Sequence, residues 1–399
     1  MRTDPATAAV RNATGGAGNG SHDQRNREPR PPRHDRIDAI DLARGIAVCL
    51  MIVAHGTNGL MPYSDFPDWG QVPVHAFTKF SSSLFFIIFG VALAVAFVPK
   101  VGAADWPRRR NRLLVRGLVV LFWYKALTVI ELWDREQERI VDALLYRDFP
   151  SFVEILGFYA IALLWIPWLL PLWAKAPAWL RWLSPLPVIW LSWWLLGNAG
   201  FGGVPQLQAI FVEHPDYYTW GQLSRLPLVL VGLLVGDLLV RMNDSAARRL
   251  LLATGTVLAG CLLLAWFALR AGDLHAELVA IGRNDGKHPP GLLFSLFSVG
   301  GALVLLGLCI AGGNLLARVL RPVTVVGTDA LMAFIVHITV IFALWRNTLD
   351  WFQAVSYTHA LTASLVLVAV TALWIRIWQR LPLPWRKPAR EPTAAAARD

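Results

Sequence analysis

Three residues able to do chemistry fall within one otherwise apolar stretch, Asp41-Leu-Ala-Arg44-Gly45 and, after further apolar positions, His55. An ionisable side chain inside a bilayer costs about 2.5–3.5 kcal/mol on insertion scales, so each is a candidate for function. On a helix, Asp41 and Arg44 share a face and can pair. Arg44 and His55 lie close to three whole turns apart, so both project the same way, roughly 16 Å apart along the axis. This stripe is expected to aim both side chains into one hydrated passage. An imidazole, with an ordinary pKa near 6.5, can serve as a general base or carry a transferred group. The competing reading is an interfacial anchor made by Asp41 and Arg44, with His55 a polar packing group.

Further along, Lys125, Glu131, Glu154 and His337 also fall within apolar blocks. Lys125 and His337 come at a depth similar to that of His55, which suggests a shared cavity. Lys125 could equally pair with Glu131 or Glu154. Arg109, Arg110, Arg112 and Arg116 form a cluster suited to phosphate, since guanidinium groups grip phosphate bidentately. The same cluster fits the ordinary excess of positive charge in cytoplasmic loops. The run Ser81-Ser82-Ser83 suits interhelical hydrogen bonds. An acceptor-binding role with Lys79 and His75 is the alternative.

The elements that position these residues follow from hydropathy. Of 399 residues 55% are hydrophobic and only 16% charged, against roughly 25% charged in soluble domains. Apolar blocks of membrane-spanning length lie near 40–60, 76–97, 113–132, 152–172, 182–198, 225–242, 249–270, 291–311, 325–346 and 360–378. The fold class is therefore all-α, a polytopic transmembrane bundle of about ten spans. Pro185 and Pro187 make the fifth block the weakest. Lys and Arg concentrate in the N-terminal segment, the even-numbered loops and the C-terminal segment, which places both termini in the cytoplasm. The net charge of +10 then reads as topogenic, and no nucleic-acid partner is expected.

Residues 1–37 read as a disordered basic tail, 38–380 as the membrane domain and 381–399 as a cytoplasmic tail. No cleaved signal peptide is expected. Cys49, Cys261 and Cys309 lack metal or disulfide spacing and read as buried packing residues, so no metal site is expected. Loops 199–224, with Glu213, His214, Asp216, Tyr217 and Tyr218, and 271–290, with His275, Glu277, Asp285 and His288, lie on the outer side. They either cover an external substrate or merely connect spans.

The first span resembles that of the acyltransferase 3 family and its relatives, the periplasmic glucan succinyltransferases and the heparan-alpha-glucosaminide N-acetyltransferases. Asp41-Leu-Ala-Arg44-Gly45 and His55 match the family pattern of Asp-x-x-Arg-Gly followed by a distant His. The Phe-rich span from Phe77 to Gly90 is similar to the family's second helix. Gly327-Thr328-Asp329-Ala330-Leu331, with His337, is similar to a late one. Arg109-Arg110-Asn111-Arg112 contains the family's Arg-x-x-Arg spacing, while Arg112 to Arg116 is longer by one.

The resemblance implies an integral membrane acyltransferase, in a bacterial plasma membrane, moving an acetyl or similar group from cytoplasmic acyl-CoA. The acceptor would be a carbohydrate or lipid-linked glycan on the outer side. His55 would be the base or a transient acyl carrier, with Arg44 and Asp41 beside it, and Arg109, Arg110, Arg112 and Arg116 would hold the donor. No bound cofactor is expected, with acyl-CoA a co-substrate and membrane lipids and a glycan or glycolipid the other partners. A secondary transporter using the buried His, Lys and Glu groups is the rival, though no internal repeat supports it. A membrane scaffold would leave the deep ionisable groups unexplained.

Overall fold

The computed structural model describes residues 37–381, so both terminal tails lie largely outside the described residues. Among the described residues nine helices are long and apolar enough to cross a bilayer. They are α1 (Asp38–Leu60), α2 (Asp68–Lys100), α3 (Trp106–Glu131), α4 (Glu154–Lys175), α6 (Gln222–Met242), α7 (Ala246–Arg270), α8 (Leu292–Val319), α9 (Ala330–Thr348) and α10 (Tyr357–Arg380). Between α4 and α6 lies α5 (Pro185–Asn198), preceded by a short helix Ala178–Leu183. Ser184 between them keeps helical dihedrals, φ −54° and ψ −32°. The two pieces thus form one interrupted helix of roughly 30 Å, enough for a tenth crossing. Pro185 removes a backbone donor at the junction, which is why this span is the hardest to read from sequence.

The bundle is organised around α1, which packs on α2, α8, α9 and α10 and on the short helix Arg321–Thr328. The helix carrying the Asp, Arg and His is thus an inner one, while α7 and α10 leave most of their surface outward. Leu262 and Leu269 on α7 and Leu365 and Leu373 on α10 are largely exposed. So are Trp190 and Trp193 on α5. Apolar surface of this extent needs a lipid environment. Of the cysteines, Cys309 is buried and Cys49 half-buried, but Cys261 is exposed on α7. It is therefore a surface residue and not the core residue that its apolar neighbours suggested.

Two features of the ninth span matter for the site. The helix Arg321–Thr328 ends at Asp329, whose φ of −142° and ψ of 70° break the chain's helical path. The Asp329 carboxylate then accepts the Met332 N–H at 3.2 Å and caps α9. The outer half of α9, Thr339–Thr348, is wound as a π-helix, a form often found at functional sites.

Candidate active site

His55 and His337 meet at the heart of the bundle. His55 Nδ1 lies 3.1 Å from His337 Nε2, and the rings are close to parallel, with centroids 5.4 Å apart. His337 is fully buried, and its Nδ1 is 2.7 Å from the Ala333 carbonyl oxygen. A carbonyl can only accept, so His337 Nδ1 carries a proton. With both rings neutral, His337 Nε2 is then an acceptor, and His55 Nδ1–H donates to it. The unprotonated nitrogen of His55 is therefore Nε2. Phe152 and Phe334 pack edge-on to the His55 ring at 5.3 and 6.3 Å between centroids, which fixes its orientation.

At the other end of α1, Arg44 pairs with Asp41 at 3.2 Å. It also donates to the Gly327 carbonyl at 3.1 Å, tying α1 to the last turn of the helix Arg321–Thr328. That contact requires glycine on both sides. A Cβ on Gly45 would lie 2.0 Å from the Val323 carbonyl oxygen, and one on Gly327 would lie 1.8 Å from that of Asp41. Gly45 of the Asp-x-x-Arg-Gly pattern thus permits backbone-to-backbone crossing, and Arg44 is held where the ninth span breaks.

Arg44 and His55 do not share one passage. His55 lines an outer cavity of about 570 Å³ together with Asn58, Tyr63, Lys79, Ser81, Ser82, Tyr218, Lys287 and other residues. Arg44 lines a narrower cavity of about 150 Å³ at the opposite end, with Arg116, Phe85, Tyr159, Thr328 and Phe334. The expected single passage is interrupted because Phe334 packs on His55 from one side and closes the inner cavity from the other. Phe85, with its ring centroid 6.4 Å from that of Phe334, extends the same layer.

The remaining candidates separate. Arg116 joins Arg44 in the inner cavity. Arg109 instead pairs with Asp105, Arg110 stacks over Trp168 at 4.0 Å, and Arg112 is exposed. Lys125 does not reach the outer cavity. It donates to the Ala143 carbonyl at 2.8 Å and sits 3.3 Å over the Tyr146 ring, in place of an ion pair with Glu131 or Glu154. The Glu131 carboxylate accepts the backbone N–H groups of Ser151, Phe152 and Val153 at 2.6–3.2 Å. It holds the turn that presents Phe152 to His55. Glu154 accepts from the Tyr124 hydroxyl and likewise lines no part of the outer cavity. These three were expected near the site from depth alone, but the faces they occupy point elsewhere. His75 bonds Tyr357 at 3.1 Å away from the cavity, whereas Lys79, Ser81 and Ser82 line it.

The two outer loops do fold over the cavity. Asp216, Tyr217 and Tyr218 come from one, and Asn284, Lys287 and His288 from the other. A buried ion pair links them: Arg225 Nε donates to Glu213 at 2.8 Å, and its guanidinium also donates to the Lys287 carbonyl at 2.7 Å. His288 Nδ1 lies 3.0 Å from the second Glu213 oxygen. Burial by itself raises the Glu213 pKa, but Arg225, His288 and Ser224 together bring it below the ordinary carboxylate value. Lys287, Arg225 and Asn284 were not legible as site residues. An Arg at the start of an apolar block reads as topogenic, and only the loop's fold brings Lys287 inward.

A family model described as an acyltransferase domain matches residues 37–377. The chain belongs to the acyltransferase 3 family. It is an integral membrane acyltransferase, and the match spans all the helices that build both cavities. No curated protein matches the chain. Among the described residues of this acyltransferase no group of three or more His, Cys, Asp or Glu side chains is placed to hold a metal ion.

Proposed function

We propose that this acyltransferase moves an acetyl or similar acyl group from cytoplasmic acyl-CoA to a hydroxyl of a carbohydrate or lipid-linked glycan on the outer side of a bacterial plasma membrane. The observation that carries the reading is the His55–His337 pair at the inner end of a polar cavity, with its back to a second cavity containing two arginines. The excess of Lys and Arg at the Arg44 end makes that end cytoplasmic.

In this mechanism His337 Nε2 accepts the hydrogen bond from His55 Nδ1–H, which leaves His55 Nε2 as the base. His55 Nε2 takes the acceptor hydroxyl proton while that oxygen attacks the thioester carbonyl. The tetrahedral intermediate collapses, breaking the C–S bond, and the proton passes from the imidazolium to the departing CoA sulfur. The ester and free CoA thiol are the products. Proton transfer of this kind contributes about 10²–10⁴-fold in rate. Arg44 and Arg116 sit at the donor side, where guanidinium groups attract the phosphates of CoA. Asp41 and the Gly327 carbonyl hold Arg44 in place. The inner cavity is too narrow for a nucleotide, so only the acyl-pantetheine arm would enter it. Phe334 and Phe85 must then move to let the thioester reach His55.

The test has two arms. Purified protein in liposomes is given labelled acetyl-CoA and a surface glycan extract, and wild type is compared with His55→Ala. Full activity in the variant would remove His55 as the base. Mass spectrometry of cell-surface glycans and lipids, with and without the protein, identifies the acceptor. A loss of O-acyl groups from one component supports the reading, and an unchanged profile counts against it.

A further inference from the structure

We infer that the outer cavity binds a substrate bearing a carboxylate or phosphate, held between Lys79 and Lys287. Lys79 reaches in from α2 and is only 4% exposed. Its Nζ donates to Asn284 Oδ1 at 2.7 Å and to the Tyr63 hydroxyl at 3.3 Å, both neutral. Lys287 enters from the opposite loop, donates to the Tyr218 hydroxyl at 2.5 Å, and lies 5.0 Å from the centre of the Trp220 ring. Neither lysine has a carboxylate partner among the described residues. Asn284 bonds one lysine, and the other lies in the same loop, so the two amino groups face one space.

The cavity's acids do not balance them. Glu213, in the other outer loop, is committed to Arg225 and His288 and does not line the cavity. Asp216 does line it, but its side chain is 81% exposed and lies 3.7 Å from His214. A buried ammonium without a counter-charge is costly, and several donors converging on an open space are what an anion requires. Burial, followed by the charge of Arg225, lowers the Lys287 pKa to about 7. A bound anion would restore the full charge.

The rest of the lining describes the body to which the anion is attached. Tyr63, Ser81, Ser82, Tyr217 and Tyr218 supply hydroxyls and Trp220 a ring face. Asn58, one turn beyond His55, has a buried Oδ1 without a partner. The Tyr63 hydroxyl meanwhile receives donors from Asn58, Asn284 and Lys79, more than its two lone pairs can accept. Turning the Asn58 amide lets Tyr63 donate to it, and then the amide nitrogen is the partnerless atom. In either orientation one polar atom beside His55 awaits a hydroxyl. A polyhydroxylated, anionic substrate satisfies both the lysines and this amide.

The anion can belong to the acceptor or to the far end of a dicarboxylic acyl group. Only that choice rests on the transferase reading of the cavity, because anion binding can be measured without transfer. Full-length protein in nanodiscs is titrated with glucose 6-phosphate, succinate and glucose at pH 6.5 and fixed ionic strength. The two anions are expected to bind at least tenfold tighter than glucose and to compete with each other. Lys79→Met and Lys287→Met should each lose about tenfold in anion affinity, with Arg at either position restoring much of it and glucose unchanged. Anions that bind no tighter than glucose to the wild-type protein overturn the proposal, as does a double Met variant of unchanged affinity. The wild-type comparison decides the matter even if the variants do not fold. Transfer from acetyl-CoA and succinyl-CoA then assigns the source. A loss in Lys79→Met confined to succinyl-CoA places the anion on the acyl group, and an equal loss with raised acceptor KM places it on the acceptor. Retained anion binding in a protein indifferent to His55→Ala would separate failure of the transferase mechanism from failure of this site.

Discussion

The hydrogen bond between His55 and His337 assigns protons without a titration. Because His337 Nδ1 faces a carbonyl at 2.7 Å, His337 can help His55 only through Nε2, as an acceptor. His337→Gln keeps a carbonyl oxygen able to accept the His55 proton, whereas His337→Leu removes it. The Leu variant is expected to lose about 10²-fold in kcat and the Gln variant substantially less, by analogy with other bases that depend on an orienting partner. Steady-state kinetics on both variants check this, and equal losses would mean that His337 only fills space. A second expectation concerns pH. Lys287, with a pKa lowered by burial and then by Arg225 to about 7, is charged below that value and neutral above it. Arg225, and Lys79 across the cavity, work against the charge and Glu213 supports it, while Tyr218 bonds it and His288 adjoins it. Binding of glucose 6-phosphate should peak between about pH 6 and 7, because its phosphate loses the second negative charge below about pH 6, and weaken by up to about tenfold per unit above pH 8. Calorimetry across pH reads the slope, and Lys287→Arg should flatten it.

The same spacing that makes α1 legible also shows what its glycine does. Asp41, Arg44 and His55 could be placed on one stripe from helical period alone, and the bundle keeps them on an inner helix. The period could not show that Phe334, some 280 residues away in sequence, divides the stripe between two cavities. Nor could it show that Lys125, Glu131 and Glu154 turn toward neighbouring backbone and Tyr124. Depth in an apolar block is visible in sequence, but the direction of a side chain depends on which helix it meets. The proline-interrupted α5 was legible as the weakest of the apolar blocks, and the even number of spans that charge placement requires agreed with counting it. Gly45 carries a prediction at this scale. Its hypothetical Cβ falls 2.0 Å from the Val323 carbonyl oxygen, a backbone atom that cannot swing aside. Gly45→Ala should therefore push α1 from the helix Arg321–Thr328 and stretch the bond from Arg44 to Gly327. Overpacking of this kind costs about 1–3 kcal/mol. A lower melting temperature in detergent, together with raised donor KM, is expected. Gly102→Ala, with open space around it, is the matched control and should change neither.

Across the whole molecule, the two cavities lie at opposite ends of one helix and differ in character. The inner one is narrow, mostly aromatic and aliphatic, with Arg44 and Arg116 as its cations. The outer one is wide, rich in hydroxyls, and roofed by two loops that Arg225 and Glu213 pin together. A layer containing Phe334 and Phe85 lies between them. If donor and acceptor entered by the same cavity, neither the second cavity nor the layer would be needed. The arrangement instead predicts vectorial transfer. In inside-out membrane vesicles the Arg44 end faces the bulk solution, so acetyl-CoA added outside should acylate a soluble acceptor enclosed within. In right-side-out vesicles, acetyl-CoA and acceptor supplied together outside should give no product until donor is also loaded inside. Phe334→Trp should reduce transfer in both preparations by obstructing the crossing while leaving anion binding at Lys79 and Lys287 intact, because that subsite lies wholly on the outer side of the layer. Product formed with donor and acceptor both on the His55 side would instead mean that the thioester enters the outer cavity directly, and Arg44 would then be a brace between α1 and the broken ninth span with no part in holding CoA.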